Sequence, residues 1–239
     1  MLDENMTPET PDLFEGMTSI SAVLDESIRG FNDRRVLTVF VDKTRMDKKA
    51  REIAYLHRRA EELGFTVQPV HPDDLDNLTS GKTHGGIVAV CSDRTLPLLS
   101  ESMDKIKEGG FYVLLEGIED PYNFGYTVRS LYAAGADGVI LPPRNWMGVA
   151  GLVARSSAGT SEKMPMFVAE PAEVIPLFRE KGYRAACAEI RDSVDLYEAD
   201  LNVRIGYHGN FRGSLSSAAS AAVLAFEVGR QNARQNSQK

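Results

Sequence analysis

The stretch EGIEDPYNFGYTVRS (Glu116–Ser130) joins a strand-like run, FYVLLEG, to a helical run from Tyr122 to Ala134. Pro121 sets a turn between them. Asn123 can cap the helix or tolerate an unusual backbone angle, and Gly125 permits close backbone approach at the helix head. Arg129 follows Asn123 by six residues, more than one turn into the helix, where it can lean back toward the strand end. A phosphate or ribose at this turn would meet both side chains. Spacing alone is equally compatible with an ordinary capped helix carrying a surface arginine.

The same alternation continues downstream. It predicts a strand at GVILP (Gly138–Pro142), a helix around Val149–Ser156, a strand at MFV (Met166–Val168), a helix over Pro171–Lys181 and a strand at YRAACAEI (Tyr183–Ile190). LNVRI (Leu201–Ile205) has strand character too, and Ser214–Gln231 is an alanine-rich helix. Strand and helix in alternation imply an α/β domain with a parallel sheet, helices on both faces and ligands at the carboxyl ends of the strands.

Upstream, residues 1–13 are polar and proline-bearing and read as a disordered tail. Helix Thr18–Gly30 follows, with Ile20, Val23, Leu24 and Ile28 at helical spacing, then strand Arg35–Asp42, helix Asp47–Gly64 and strand Phe65–Val70. A short helix near Asp73–Leu78 and strand His84–Ser92 complete a small αβαβαβ domain over residues 14–92. The charged, proline-containing stretch Asp93–Gly110 reads as a helical linker, leaving 111–239 for the second domain.

Taken as a string, EGIEDPYNFGYTVRS and its continuation RSLYAAGADGVIL resemble the first motif of the SpoU/TrmH branch of SPOUT methyltransferases. VARSSAGTSEKMPMF (Val153–Phe167) is similar to that family's serine-alanine-glycine stretch at Ser157, Ala158 and Gly159; by its own physics it is a small-residue turn that permits tight packing. NVRIGYHGNFRGSLSSAASAAVLAFEVGRQ (Asn202–Gln231) resembles the last motif, whose alanine-rich helix tucks through a loop to complete a trefoil knot. FEGMTSISAVLDE and KTHGGIVAV resemble the helix start and final strand of a substrate-recognition domain similar to a ribosomal protein fold.

The resemblance implies an RNA 2′-O-ribose methyltransferase acting on ribosomal or transfer RNA with S-adenosylmethionine, as a cytoplasmic homodimer. It casts Arg129 and Asn123 as catalytic, and Ile205, Gly206, Ser214, Leu215 and Ser216 as contacts to the methyl donor. A guanidinium is a poor base in water, so Arg129 is assigned first to the phosphate and to easing alkoxide formation.

The chain also departs from the family pattern. EIRDSVDLYEADL runs almost directly into NVRIGYHG, without the family's glycine-rich loop bearing a glutamate, so the knot-type domain reads as incomplete by a strand and its loop. Either Glu189 replaces the loop glutamate or the loop is deleted outright, and the deletion fits the flanking sequence better. Gly206 stands where proline is usual, and Ser216 where the family has asparagine. These departures support an alternative, a non-catalytic SPOUT-like RNA-binding protein that has lost the donor.

Composition narrows the remaining classes. The chain has 239 residues, 43 % of them hydrophobic, enough for one large or two small cores. No apolar run approaches the roughly 18 residues of a membrane span, and the acidic N-terminus lacks the pattern of a secretory leader. Cys91 and Cys187 have neither disulfide nor metal-ligand spacing and read as core filler, so no metal is expected. No G-x-G-x-x-G follows a strand, which disfavours a dinucleotide-binding oxidoreductase.

A net charge of −7 argues against bulk affinity for nucleic acid but leaves room for a local basic face. The candidates are Lys48, Lys49, Arg51, Arg58 and Arg59, with Arg34 and Arg35 nearby. Read by spacing, Lys48, Arg51, Arg58 and Arg59 do not share one stripe, which favours a solvated helix paired with Glu52, Glu61 and Glu62.

Overall fold

The structure is a computed structural model that describes residues 12–79, 84–143, 149–186 and 216–236, the last five of these by backbone alone. Its Cα positions divide into two units, one containing Met1–Thr95 and Asn145–Lys163, the other Leu96–Arg144 and Met164–Lys239.

The first unit opens with strand β1 (Asp12–Glu15), followed by helix α1 (Gly16–Arg29) and strand β2 (Val36–Asp42). Helix α2 (Ala50–Leu63), strand β3 (Thr66–Val70), helix α3 (Pro72–Leu78) and strand β4 (Ile87–Cys91) complete its sheet, in the order β1-β4-β2-β3. β2 and β3 run parallel, while β4 is antiparallel to both β1 and β2. The sequence pattern started this unit at α1. β1 escaped it because a four-residue edge strand has no periodicity of its own and forms only by pairing Asp12 through Glu15 with Cys91 through Val88.

Phe14, Ile20, Val23, Leu24, Val39, Leu56, Ile87 and Cys91 pack together as the core of this unit. Ile28, predicted on the apolar stripe of α1, is 46 % exposed in the last turn of the helix. Gly30 and Gly64 end α1 and α2 in the left-handed conformation, as their positions suggested. Burial pushes the Cys91 thiol up, so it behaves as a small core hydrophobe. Cys187 lies outside the described residues.

Two further helices, α5 (Ala150–Ser156) and α6 (Thr160–Lys163), belong to this unit although they follow it by more than fifty residues in sequence. Glu162 and Asp12 both bond the guanidinium of Arg34, at 3.1 Å and 3.0 Å. All three side chains are no more than 6 % exposed. Arg34 also donates to the Ser92 carbonyl at 2.8 Å and lies over the Phe14 ring at 4.9 Å. Arg34 is therefore a core ion-pair centre and is not available to RNA, contrary to its expected place beside a basic face.

The second unit carries strands β5 (Tyr112–Leu114), β6 (Gly138–Leu141) and β7 (Met166–Val168), all parallel, in that order. Helix α4 (Pro121–Ala133) links β5 to β6, α7 (Pro171–Glu180) follows β7, and α8 (Ser217–Asn236) packs against α4. Instead of a helical linker, residues 93–110 contain one 3₁₀ turn, Met103–Lys105, and an extended point where Leu98 bridges Val168 in parallel. Pro97 explains the difference, since it disfavours helix at the residue before it and its carbonyl accepts from the Val168 amide at 2.9 Å. Leu99, Ile106, Ile140, Phe167, Val174 and Phe178 form the core here, with the rings of Tyr112 and Tyr183 against Phe178 at 5.3 Å and 4.9 Å. Tyr183–Ala186, predicted as the start of a strand, are irregular. The rest of that strand, LNVRI and the region of the expected knot lie outside the described residues.

Replacing Arg34 with Met should destabilise the first unit by about 3–5 kcal/mol, because two carboxylates would remain buried without their cation. A urea titration followed by circular dichroism measures this, and a shift below about 1 kcal/mol would show that the charge cluster is not what holds Asp12 and Glu162 in place.

Candidate functional site

The strand-to-helix turn forms as a capped helix. Asp120 is the N-cap, with its carboxylate accepting from the Asn123 amide at 2.7 Å, and Pro121 occupies the first helical position. Asn123, one of whose two expected roles was to cap the helix, lies inside the first turn of α4 as donor to the Asp120 cap, and its side chain is half-buried. Gly117 takes a positive φ of 73° where the chain leaves the strand, so the sharpest backbone requirement lies before the turn and not at Gly125.

α4 buries Phe124, Gly125, Thr127, Val128 and Leu131. On its open side Tyr122 and Tyr126, each 48 % exposed, precede Arg129 at helical spacings of four and three residues, so the three form one stripe. At about 100° per residue, Asn123 and Arg129 point roughly 120° apart around the axis. The helix thus carries both residues, but on different faces; a group touching both must span the first two turns. Arg129 is exposed and makes no ion pair among the described residues. Thr127 is fully buried, with a hydroxyl that has no hydrogen-bond partner among the described residues.

Of the residues cast as donor contacts, Ile205, Gly206, Ser214 and Leu215 lie outside the described residues, as does Glu189. Ser216 immediately precedes α8, where its exposed hydroxyl accepts from the Ala219 amide at 3.3 Å. Its hydroxyl proton and second lone pair remain available to a polar ligand, which is compatible with a donor contact.

The Ser157–Gly159 turn does its work in packing. Ala158 and Gly159 both have positive φ, 52° and 80°. A Cβ on Gly159 would come within 2.6 Å of the Ala22 Cβ and 3.1 Å of the Thr18 carbonyl, and one on Gly151 within 1.7 Å of the Leu13 carbonyl. Ser157 is fully buried, and its hydroxyl accepts from the Ser161 amide at 3.1 Å while donating to the Ala154 carbonyl. The small residues of this segment are thus explained by close contact with α1 and β1.

On α2 Glu52 and Glu62 pair with Lys49 and Arg59, as the spacing argument expected in part, while the three arginines fall on one face. Helical geometry places Arg51, Tyr55, Arg58 and Arg59 within about 100° of one another, opposite the buried Ile53 and Leu56. Lys48 stands in the turn before the helix. Arg58 and Arg59 lie over the Tyr55 ring at 5.7 Å and 5.2 Å. Among the described residues no helix is long and apolar enough to cross a membrane, and no cluster of His, Cys, Asp and Glu could hold a metal ion.

Residues 110–223 match the model of the SpoU rRNA Methylase family, and residues 13–97 match that of the RNA 2′-O ribose methyltransferase substrate binding domain. The chain belongs to the SpoU family. Among relatives, a Bordetella pertussis protein named 23S rRNA (guanosine-2′-O-)-methyltransferase RlmB is 33 % identical over 53 % of this chain and 51 % of its own. A Putative TrmH family tRNA/rRNA methyltransferase of Staphylococcus haemolyticus is 33 % identical over 66 % of this chain and 65 % of its own. The match thus spans about half of the first relative's length and about two thirds of the second's.

Solved methyltransferase structures share the fold. The AdoMet-bound rRNA methyltransferase of Sinorhizobium meliloti superposes with a TM-score of 0.70 at 21 % identity, over 92 % of this chain and 87 % of that one. The SpoU Methyltransferase AviRb of Streptomyces viridochromogenes, in complex with AdoMet, gives 0.67 at 21 % identity, over 92 % and 89 %.

Substituting Gly159 with Ala should lower stability by about 2 kcal/mol or more, since the added methyl combines a disfavoured φ with overlap onto Ala22. Thermal unfolding of the variant checks it. The paired change Gly159→Ala with Ala22→Gly should recover part of the loss.

Proposed function

We propose that the chain is an RNA 2′-O-ribose methyltransferase that uses S-adenosylmethionine and acts on ribosomal or transfer RNA. The observation that carries this reading is the joint match of 13–97 to a ribose methyltransferase substrate-binding domain and of 110–223 to the methylase domain. The names of the Bordetella and Staphylococcus relatives, and the AdoMet in two structures of the same fold, agree with it.

S-adenosylmethionine, when bound, supplies an electrophilic methyl group; Ile205, Gly206, Ser214, Leu215 and Ser216 are the residues assigned to hold it. The protein's own task is to align a ribose 2′-hydroxyl with that methyl and to ease removal of one proton. Arg129, exposed and unpaired among the described residues, is assigned to bind the adjacent phosphate and to stabilise negative charge developing on the 2′-oxygen. Asn123, held in the first turn of α4 by Asp120, positions the ribose from the neighbouring face. Arg129→Ala should lower methyl transfer to RNA, read as tritium incorporation from labelled donor, by about a hundredfold. Its melting temperature should stay within about 1 °C, as expected of an exposed side chain.

One feature of the sequence favours a second reading, in which the chain binds RNA without methylating it: the run from EIRDSVDLYEADL into NVRIGYHG lacks the glycine-rich loop of the family. Calorimetric titration separates the two. Micromolar donor binding that is lost on altering Ile205–Ser216 supports the enzyme, and absence of binding at millimolar donor sinks it.

The proposed active form is a homodimer. Tyr122, Tyr126 and Tyr132 on α4 and Phe226 on α8 are 41–55 % exposed in a single chain, the kind of aromatic surface that a second copy covers. Tyr126→Glu should convert the dimer to monomer in sedimentation velocity with the fold retained.

A further inference from the structure

We infer that the loop Lys43–Lys49 and the outer face of α2 form the surface on which the phosphodiester backbone of RNA docks, an assignment that rests on the methyltransferase reading above. Between Lys43 and Arg59 the chain has seven Lys and Arg against two Asp and Glu, a local balance of +5 in a protein of net charge −7. A polyanion therefore meets repulsion over most of this molecule and attraction here.

The cations are arranged for an external partner. Lys43, Lys48, Arg51 and Arg58 are exposed and make no ion pair among the described residues. Three acidic neighbours are already engaged: Asp42 holds Arg45 at 3.1 Å, Glu52 lies 3.8 Å from Lys49, and Glu62 bonds Arg59 at 2.6 Å; Asp47 and Glu61, exposed and in no ion pair among the described residues, leave the four unpaired cations in excess. The face is not simply a solvated helix balanced by its own carboxylates.

Its shape is also set in advance. Asp42, at the end of β2, accepts from the Thr44 amide at 2.8 Å and the Thr44 hydroxyl at 2.6 Å, which fixes the 3₁₀ turn Lys43–Arg45. The Arg45 stem lies against Gly86, where a Cβ would be only 3.0 Å from Arg45 Cδ. Tyr55 sits beneath Arg58 and Arg59, and its hydroxyl donates to Asp25 at 3.3 Å, so the ring that orders the two guanidiniums is itself anchored to α1. Ordering the arginines before RNA arrives lowers the entropy lost on binding. RNA is favoured over an acidic membrane because the cations border a polar turn and a charged helix face, with no apolar stripe on that side to enter a bilayer.

The test measures binding of the full-length chain to a fluorescein-labelled RNA stem-loop over a range of potassium chloride concentrations. The triple variant Lys48→Glu, Arg51→Glu, Arg58→Glu should bind at least about tenfold more weakly, and the slope of log affinity against log salt should fall by about 2 units. The single variant Arg51→Glu should show a smaller loss of the same kind, and Lys181→Glu, exposed on the other unit, none. Circular dichroism melts check that each variant folds. Wild-type RNA binding with the triple variant unaffected overturns the surface and leaves the methyltransferase reading intact. If the wild type binds phosphatidylglycerol vesicles through these residues but not RNA, or binds no RNA at low salt, both readings fall.

Discussion

A guanidinium buried among two carboxylates is the interaction on which the first unit depends. Arg34 joins Asp12 at the edge strand, the Ser92 carbonyl beyond β4, and Glu162 on a helix well over a hundred residues away in sequence. Asn32 adds a bond to the Glu162 carbonyl at 2.9 Å, and Arg94 one to the Ser161 carbonyl at 2.7 Å. Such a cluster adds little net stability over a well-packed apolar one, yet any partner missing leaves a charge stranded in the core. Its effect is specificity: β1, the residues just before β2 and α6 are held in an arrangement that pairs Arg34 with both carboxylates.

The glycines of the α5–α6 segment follow from that arrangement. Once Glu162 is drawn to Arg34, the chain before it must pass directly over β1 and α1, and Gly151 and Gly159 stand where a side chain would strike the Leu13 and Thr18 carbonyls. A segment that resembles the family's serine-alanine-glycine stretch thus packs closely within the first unit at Gly151 and Gly159. β6 and β7 pair directly in the sheet of the second unit, although the chain between them, residues 145–163, is counted with the first unit.

In the second unit the constraint is the helix cap. Asp120 and Pro121 start α4 at a defined residue, and that start fixes which side chains face out. Tyr122, Tyr126 and Arg129 fall together on the open side, while Asn123 is rotated away from them. A ligand touching both Asn123 and Arg129 would have to extend along the helix over about two turns. Where α8 packs against α4, Gly229 keeps the helices close, since a Cβ there would lie 3.2 Å from the Ala134 carbonyl.

Much of this was legible in the residues themselves. Periodicity located α1, α2, α4 and α7 and most of the strands to within a few residues, because each is long or apolar enough to carry its own signal, and EGIEDPYNFGYTVRS marked the family by a rare order of residues. Helical arithmetic on Arg51, Tyr55, Arg58 and Arg59 was also available, once the start of α2 at Ala50 was known. Three things were decided only in three dimensions. β1 exists through its partner strand, the role of Arg34 depends on Glu162 arriving from far along the chain, and the capping residue at the candidate site proved to be Asp120 and not Asn123. The physical reason is the same in each case: hydrogen bonds and ion pairs between residues distant in sequence, or between competing neighbours in a turn, have no period, and only the folded chain selects which of them form.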